Sequence, residues 1–313
     1  GFISALKRRP IVGAFTATAT EDVRRDIVNL LELDAPFVTI TSFDRANLYF
    51  DVIQCRNNRE KLGQLELLLR ERSDKSGIIY CSTRKTVESL CEQLRSSGIS
   101  ATRYHAGLSD EERRANQDDF IYDRARVMVA TNAFGMGIDK SNVGFVIHFN
   151  MPKNLESYYQ EAGRAGRDGS PADCILLYSA GDFMTAKYFI TGGDGNEELT
   201  DEERELVRER DMFRLQRMSD YCRTKGCLRR YMLGYFGEAA PDSCGCCGCC
   251  CARDGVQLVQ QDITIPAQKI LSCVARATRK YEYGFGAVTY VRILTGSRSK
   301  RLHELGLDQI STY

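Results

Sequence analysis

The chain has 313 residues, with 43 Lys and Arg against 42 Asp and Glu for a formal net charge of +1. Hydrophobic residues make up 43% and charged residues 27%, the balance of a folded globular protein, which excludes a mostly disordered chain. No apolar run approaches the roughly 18 residues a membrane helix needs, and residues 1–20 lack the basic-then-apolar order of a signal peptide.

The chain begins without Met and enters directly into an apolar run, so a piece of a longer protein is expected. That run, residues 11–15, reads as a short strand. Residues 21–33 carry Val23, Ile27, Leu30 and Leu31 at helical spacing. Residues 37–40 read as another strand, and Ser42-Phe43-Asp44-Arg45-Ala46-Asn47 as a polar break and linker. A second alternating series follows. Strands are expected at 78–81, 101–104, 127–130, 145–149 and 174–178, with helices at 83–97, 110–121 and 154–163. The first of these helices places Val87, Leu90, Cys91 and Leu94 on one face and stops at Gly98. Short apolar strands separated by helices predict an α/β fold, a parallel sheet covered on both faces. Sites on such sheets lie outside the carboxyl ends of the strands.

After Gly192 the texture changes. Gly192-Gly193-Asp194-Gly195 reads as a flexible break, and residues 199–221 as a long charged helix. From Ile265 short helices are expected, at 286–294 and 298–305, with a Gly-rich turn at Tyr283-Gly284-Phe285-Gly286. Residues 257–313 hold 8 Lys and Arg against 4 Asp and Glu, a net of +4 where the remainder carries −3. A basic end of this kind points to a nucleic-acid surface, and ordinary variation along the chain accounts for the count equally well.

Cysteine is used in two ways. Cys55, Cys81, Cys91 and Cys174 are scattered at apolar positions and read as reduced core residues. Eight others crowd between Cys222 and Cys251. One dense cluster in a chain without an export signal favours metal over disulfides. Cys244, Cys247 and Cys250 stand at C-x-x-C-x-x-C spacing, with sixteen residues between Cys227 and Cys244, and four thiolates suit a closed tetrahedral zinc site. Cys246 and Cys249 offer a second C-x-x-C in a competing register, with Cys222 and Cys251 also at hand, so spacing alone leaves the ligand set open.

The most specific string is Gln160-Glu161-Ala162-Gly163-Arg164-Ala165-Gly166-Arg167-Asp168-Gly169. Two arginines three residues apart, flanked by glycines at a helix end, form a cationic fork with open backbone. A planar guanidinium donates two parallel hydrogen bonds and so suits phosphate. Arginines that merely complement the helix dipole would look similar in isolation. The whole string resembles the sixth motif of superfamily 2 helicases, and its Asp-Gly suits the RecQ branch. Thr16-Ala17-Thr18 resembles the third motif, Ile78-Ile79-Tyr80-Cys81-Ser82-Thr83-Arg84 the fourth, Tyr104-His105-Ala106-Gly107-Leu108 the segment called IVa, and Val129-Ala130-Thr131-Asn132-Ala133-Phe134-Gly135-Met136-Gly137-Ile138-Asp139-Lys140 the fifth. The resemblance covers essentially the whole chain.

That resemblance implies an ATP-dependent DNA helicase moving 3′ to 5′ in DNA repair, recombination or replication, using ATP, Mg²⁺ and Zn²⁺. Residues 1–43 would be the tail of a first RecA-like domain and linker, 44–190 the second RecA-like domain, 191–255 a helical zinc module and 256–313 a partial winged helix. It implies Arg164 and Arg167 at the transferring phosphate, one as an arginine finger, with Gln160 coupling them to the cleft and Gly137 and Asp139 on the nucleotide side. It implies zinc on Cys227, Cys244, Cys247 and Cys250, and a DNA track at Ser82, Thr83, Thr131 and His105. Thr16 and Thr18 would link the nucleotide state to DNA grip. The implied partners are single-stranded and duplex-junction DNA, with no membrane, in the bacterial cytoplasm at the nucleoid or in a eukaryotic nucleus. No Gly-x-x-x-x-Gly-Lys-[Ser/Thr] loop occurs in the 313 residues, so this polypeptide by itself is expected to hold half of an ATPase site and to be inactive. The winged helix is expected to be cut short at Tyr313. The alternative from another class is a zinc-stapled DNA-binding protein without a motor. An RNA helicase is disfavoured by the zinc module.

Overall fold

The computed structural model describes residues 3, 6–16, 18–135, 140–192, 200–253, 262–281, 284–297 and 299–310. Two compact units divide the chain, Gly1–Gly255 and Val256–Tyr313.

The first unit is built on six strands, β1 (Leu48–Gln54), β2 (Ser76–Tyr80), β3 (Ala101–Tyr104), β4 (Val127–Ala130), β5 (Val143–His148) and β6 (Ala172–Tyr178). They are parallel and lie in the order β1-β6-β5-β2-β4-β3. The helices are α1 (Glu21–Leu30), α2 (Asn58–Glu71), α3 (Arg84–Ser96), α4 (Asp110–Ile121), α5 (Leu155–Ala162), α6 (Ala180–Gly192), α7 (Asp201–Arg223), α8 (Leu228–Tyr235) and α9 (Gly248–Arg253). Side-chain caps mark many of their starts. Asn57, Thr83 and Asn154 each accept from the backbone N–H three residues on, and Ser109–Glu112 and Thr200–Glu203 form reciprocal capping boxes.

Successive side chains of a strand face opposite ways, and β2 divides the core accordingly. Ile78 and Tyr80 join a cluster with Tyr158 and Ala162 of α5 and Met218 and Tyr221 of α7. Ile79 and Cys81 join another with Leu65 and Leu69 of α2 and Leu90 and Leu94 of α3. The first cluster continues without a break through Leu228, Met232, Phe236, Cys222, Cys227, Cys247 and Cys250. The cysteine module therefore packs directly on one face of the sheet.

Other expectations are corrected here. Residues 11–15 form no strand, and residues 37–40 are unpaired, with Ile11, Phe15 and Phe37 almost wholly exposed. A strand exists through its neighbour, and no described strand pairs with either run. β1, α2, α6 and α9 were not read from the sequence. For α2 the signal was there, in Asn57 three residues before Glu60 and in Leu62, Leu65 and Leu69 at helical spacing. The break at 42–47 is not a loose linker, since each of Ser42, Phe43, Asp44, Arg45 and Asn47 is hydrogen-bonded to residues more than 115 positions away. Residues 193–195 of the glycine-rich break lie outside the described residues.

The second unit contains α10 (Thr264–Tyr281), α11 (Ala287–Leu294), α12 (Lys300–Glu304) and a 3-10 turn at Leu307–Gln309. Cys273, Ala277, Ile293, Leu302, Leu307 and Ile310 form its core. α10 is a single helix of 18 residues where shorter ones were expected. Tyr283 of the expected turn lies outside the described residues.

Candidate arginine-loop site and cysteine centre

Gly163 ends α5, and the chain turns through Arg164, Ala165, Gly166 and Arg167. The turn needs a left-handed residue, and Gly166 supplies it at φ +55. A Cβ there would sit 2.5 Å from Asn47 Nδ2 and 2.7 Å from the Ser170 carbonyl. The Gly166 N–H donates to the Val143 carbonyl at 2.9 Å, tying the loop to the start of β5.

The two arginines face different surroundings. Arg164 is half-buried, and its guanidinium lies flat against Gly135, at φ +149, where any Cβ would collide with it. It also reaches the Tyr80 hydroxyl, whose phenol burial pushes well up and the Arg164 charge pulls back. Arg167 is exposed. Gln160 donates from Nε2 to Thr18 Oγ1 at 2.5 Å, which brings two of the sequence motifs into contact. Gly137 and Asp139 lie outside the described residues.

The hydroxyl residues stand just past the carboxyl ends of adjacent strands. Ser82 and Thr83 follow β2 and Thr131 follows β4. Thr83 caps α3, accepting from the Thr86 N–H at 3.1 Å. Ser82 is exposed, and its backbone N–H donates to Asn150 Oδ1 at 3.1 Å. A cavity of about 520 Å³ opens here, lined among others by Ser82, Asn132, Asn150 and Lys153. His105 follows β3 but is buried with both ring nitrogens engaged. Nδ1 accepts from the Gly107 N–H at 3.1 Å, so Nε2 carries the proton toward Glu88 Oε1 at 2.6 Å. It can bear on a ligand only through those neighbours.

Sequence reasoning missed a buried network at the same edge. Lys61 donates to Asp182 Oδ1 and Oδ2 at 2.8 and 2.6 Å and to the Phe149 carbonyl at 2.8 Å. Asn150 donates to Asp182 Oδ1 at 3.1 Å, so a chain of bonds runs from Lys61 to the Ser82 backbone. Only the cap signal at Asn57, which brings Lys61 into a helix, hinted at it.

Four of the thiols converge in space. The thiols of Cys227, Cys244, Cys247 and Cys250 all lie within 4.8 Å of one another, and no disulfide joins any cysteine. Sulfurs on a tetrahedral zinc ion are about 3.8 Å apart, so this all-thiol, mostly buried set fits zinc. Cys227 caps α8, accepting from the Arg230 N–H at 3.4 Å. Burial raises the Cys250 thiol, but hydrogen bonds led by the one from Ser243 Oγ, at 3.2 Å, win and bring it down to about 6. The remaining cysteines of the cluster lie apart from this group. Cys246 and Cys251 are exposed, Cys249 points its thiol to the Thr224 carbonyl, and Cys222 is buried in the sheet-facing core.

Residues 59–169 match the family described as helicase conserved C-terminal domain, residues 180–251 the family RecQ zinc-binding, and residues 257–313 the RQC domain. The chain is 40% identical over 308 residues to the ATP-dependent DNA helicase RecQ of Bacillus subtilis (strain 168), covering 98% of this chain and 49% of that protein. It is 37% identical over 313 residues to the enzyme of the same name from Pasteurella multocida (strain Pm70), covering all of this chain and 46% of that protein. It is 36% identical over 306 residues to the ATP-dependent DNA helicase hus2/rqh1 of Schizosaccharomyces pombe, covering 95% of this chain and 22% of that protein. The chain thus spans about half the length of the bacterial relatives it matches. No helix among the described residues is long and apolar enough to cross a membrane.

Proposed function

The chain belongs to the RecQ family of superfamily 2 helicases, and we propose on that premise that it carries the second motor domain, zinc module and winged-helix region of an ATP-dependent DNA helicase. The protein would use ATP and Mg²⁺ to move 3′ to 5′ along single-stranded DNA and part the duplex at a junction. Arg167 would serve as the arginine finger at the transferring phosphate, and Arg164 would grip nucleotide in the ground state. Gln160 would report nucleotide through Thr18, with Gly137 and Asp139 on the same side. Ser82, Thr83 and Thr131 would contact the DNA backbone, with His105 positioning Gly107. Cys227, Cys244, Cys247 and Cys250 would hold a structural zinc ion.

The observation that carries this reading is the contrast between the arginines. One lies against Gly135 and the other is exposed on a braced loop, which suits a charge offered across a cleft to another domain. Small hydroxyls and backbone N–H groups at consecutive strand ends suit phosphate contacts. The motor-free alternative is not favoured, since the relatives carry the name of ATP-dependent DNA helicases.

The test is Arg167→Lys in the full-length protein. A finger acts mainly in the transition state, so DNA-stimulated turnover should fall on the order of 1000-fold. Nucleotide and single-stranded DNA titrations should remain near wild type. Turnover within about twofold of wild type would make Arg167 a helix-end decoration, and a full-length protein that binds DNA without ATPase activity would restore the motor-free alternative.

A further inference from the structure

The segment before β1 bridges the arginine loop and the cysteine module. Arg45 donates to the carbonyls of Gly163, Ala165 and Gly166 at 2.8, 3.1 and 2.5 Å. These lie at and just past the end of α5, where a helix leaves carbonyls without partners and its dipole is negative, so a guanidinium satisfies both needs. Asn47 adds bonds to the Gly166 and Ser170 carbonyls, each 2.9 Å. The backbone around Arg164 and Arg167 is thus held from outside its own helix.

The other side of the same segment is held by the cysteine module. Arg229, two residues after Cys227, pairs with Asp44 and donates to the carbonyls of Arg45 and Leu48 at 2.9 and 2.5 Å. Glu238 accepts from Ser42 Oγ at 2.5 Å and the Phe43 N–H at 2.7 Å. The Phe43 ring stacks on Phe236 at 4.6 Å, and Tyr159 of α5 donates its hydroxyl to the Phe43 carbonyl at 2.8 Å. Arg45 therefore has little freedom of its own. Its backbone is set by Arg229, and its side chain sets the loop.

We propose that Arg45, clamped by Arg229, is the positioning residue of the arginine loop, so that an intact cysteine centre is required for the loop's geometry. This rests on the reading that Arg164 and Arg167 serve a nucleotide. The Arg45 guanidinium bonds to three backbone carbonyls of the loop, so its effect is on where the two arginines point.

The experiment compares Arg45→Gln, Arg45→Lys and Arg229→Gln with wild type in the full-length protein, by ATPase kinetics and amide hydrogen exchange. Misplacing a catalytic group by about 1 Å costs on the order of 100-fold. Arg45→Gln should therefore lose about that factor in kcat, with KM for ATP within about threefold. The Gly166 and Gly169 amides should exchange at least about tenfold faster, with those of β4 and β5 unchanged. Arg45→Lys should recover part of both losses, and Arg229→Gln should reproduce them more weakly with zinc still bound. Unchanged kcat, unchanged loop exchange, or a rise in exchange throughout the sheet would each overturn the proposal. The helicase reading has its own control in Arg167→Lys. If Arg167→Lys abolishes turnover and Arg45→Gln does not, only the positioning role falls. If Arg167→Lys has no effect, the reading beneath it falls as well.

Discussion

Gly135 shows how one residue can decide where an arginine lies. Its φ of +149 is a conformation that side chains rarely adopt, and the absent Cβ is what lets the Arg164 guanidinium lie flat. Gly135→Ala should lower stability by about 1–3 kcal/mol through backbone strain, read by urea unfolding, and displace Arg164. In Gly135→Ala/Arg164→Ala the collision is gone and the strain remains, so the double variant should unfold less easily than the sum of the single effects implies. Asp123 offers a residue-scale test against pH. A hydrogen bond from buried Lys140 Nζ, at 2.7 Å, leads the causes that hold its carboxyl below the ordinary value of 3.8. A depressed folded value means that the stabilisation is complete above pH 3.8 and is lost as pH falls through the lower folded value. Wild type should therefore lose stability in acid more steeply than Asp123→Asn, compared in urea titrations from pH 6 to about pH 3.

At the scale of elements, the Lys61–Asp182 pair joins α2 to the start of α6 at the carboxyl edge of the sheet. Both side chains are almost wholly buried. Removing one partner strands a charge, so Lys61→Ala should cost about 3–5 kcal/mol, whereas replacing both by apolar groups of similar volume is often close to neutral. Lys61→Met/Asp182→Leu should recover only part of the loss in chemical denaturation, because Asp182 also accepts from Asn150 Nδ2 and from the N–H and hydroxyl of Ser179, and these donors would be left unpaired. It should also weaken single-stranded DNA binding, because Asn150, which accepts from the Ser82 N–H, loses its Asp182 partner.

Across the whole first unit, the cysteine centre and the sheet share one core. Cys227, Cys247 and Cys250 belong to the cluster that contains Phe50 of β1 and Leu176 of β6. Metal that binds only the folded state stabilises everything folded with it. Chelation should therefore lower the unfolding temperature of the sheet itself and speed amide exchange in β1, not merely loosen α8 and α9. Elemental analysis should find one zinc per chain, kept in Cys246→Ser and Cys251→Ser and lost in Cys227→Ser. Retention in Cys227→Ser would count against the assigned set.

Much of this molecule could be read before folding, where the signal was local. The apolar runs of β2 to β6 announce themselves within a few residues, as do the helical faces of α3 and α5, the Arg164/Arg167 string and the C-x-x-C-x-x-C spacing. Contacts between distant residues leave no such trace. Ser42 and Glu238 are 196 positions apart, Lys61 and Asp182 are 121, and Arg45 and Gly166 are 121. Each residue alone looks like an ordinary surface polar group. Burial turns Lys61 into a core ion pair, and the carbonyls at the end of α5 turn the half-buried Arg45 into a brace; both depend on what the rest of the chain packs around them. The cysteines show the division most clearly. Their spacing pointed to a metal centre but left a second register open. Only the packing of α8 and α9 on the sheet decided which thiols converge, because convergence is a distance in space that sequence separation does not encode.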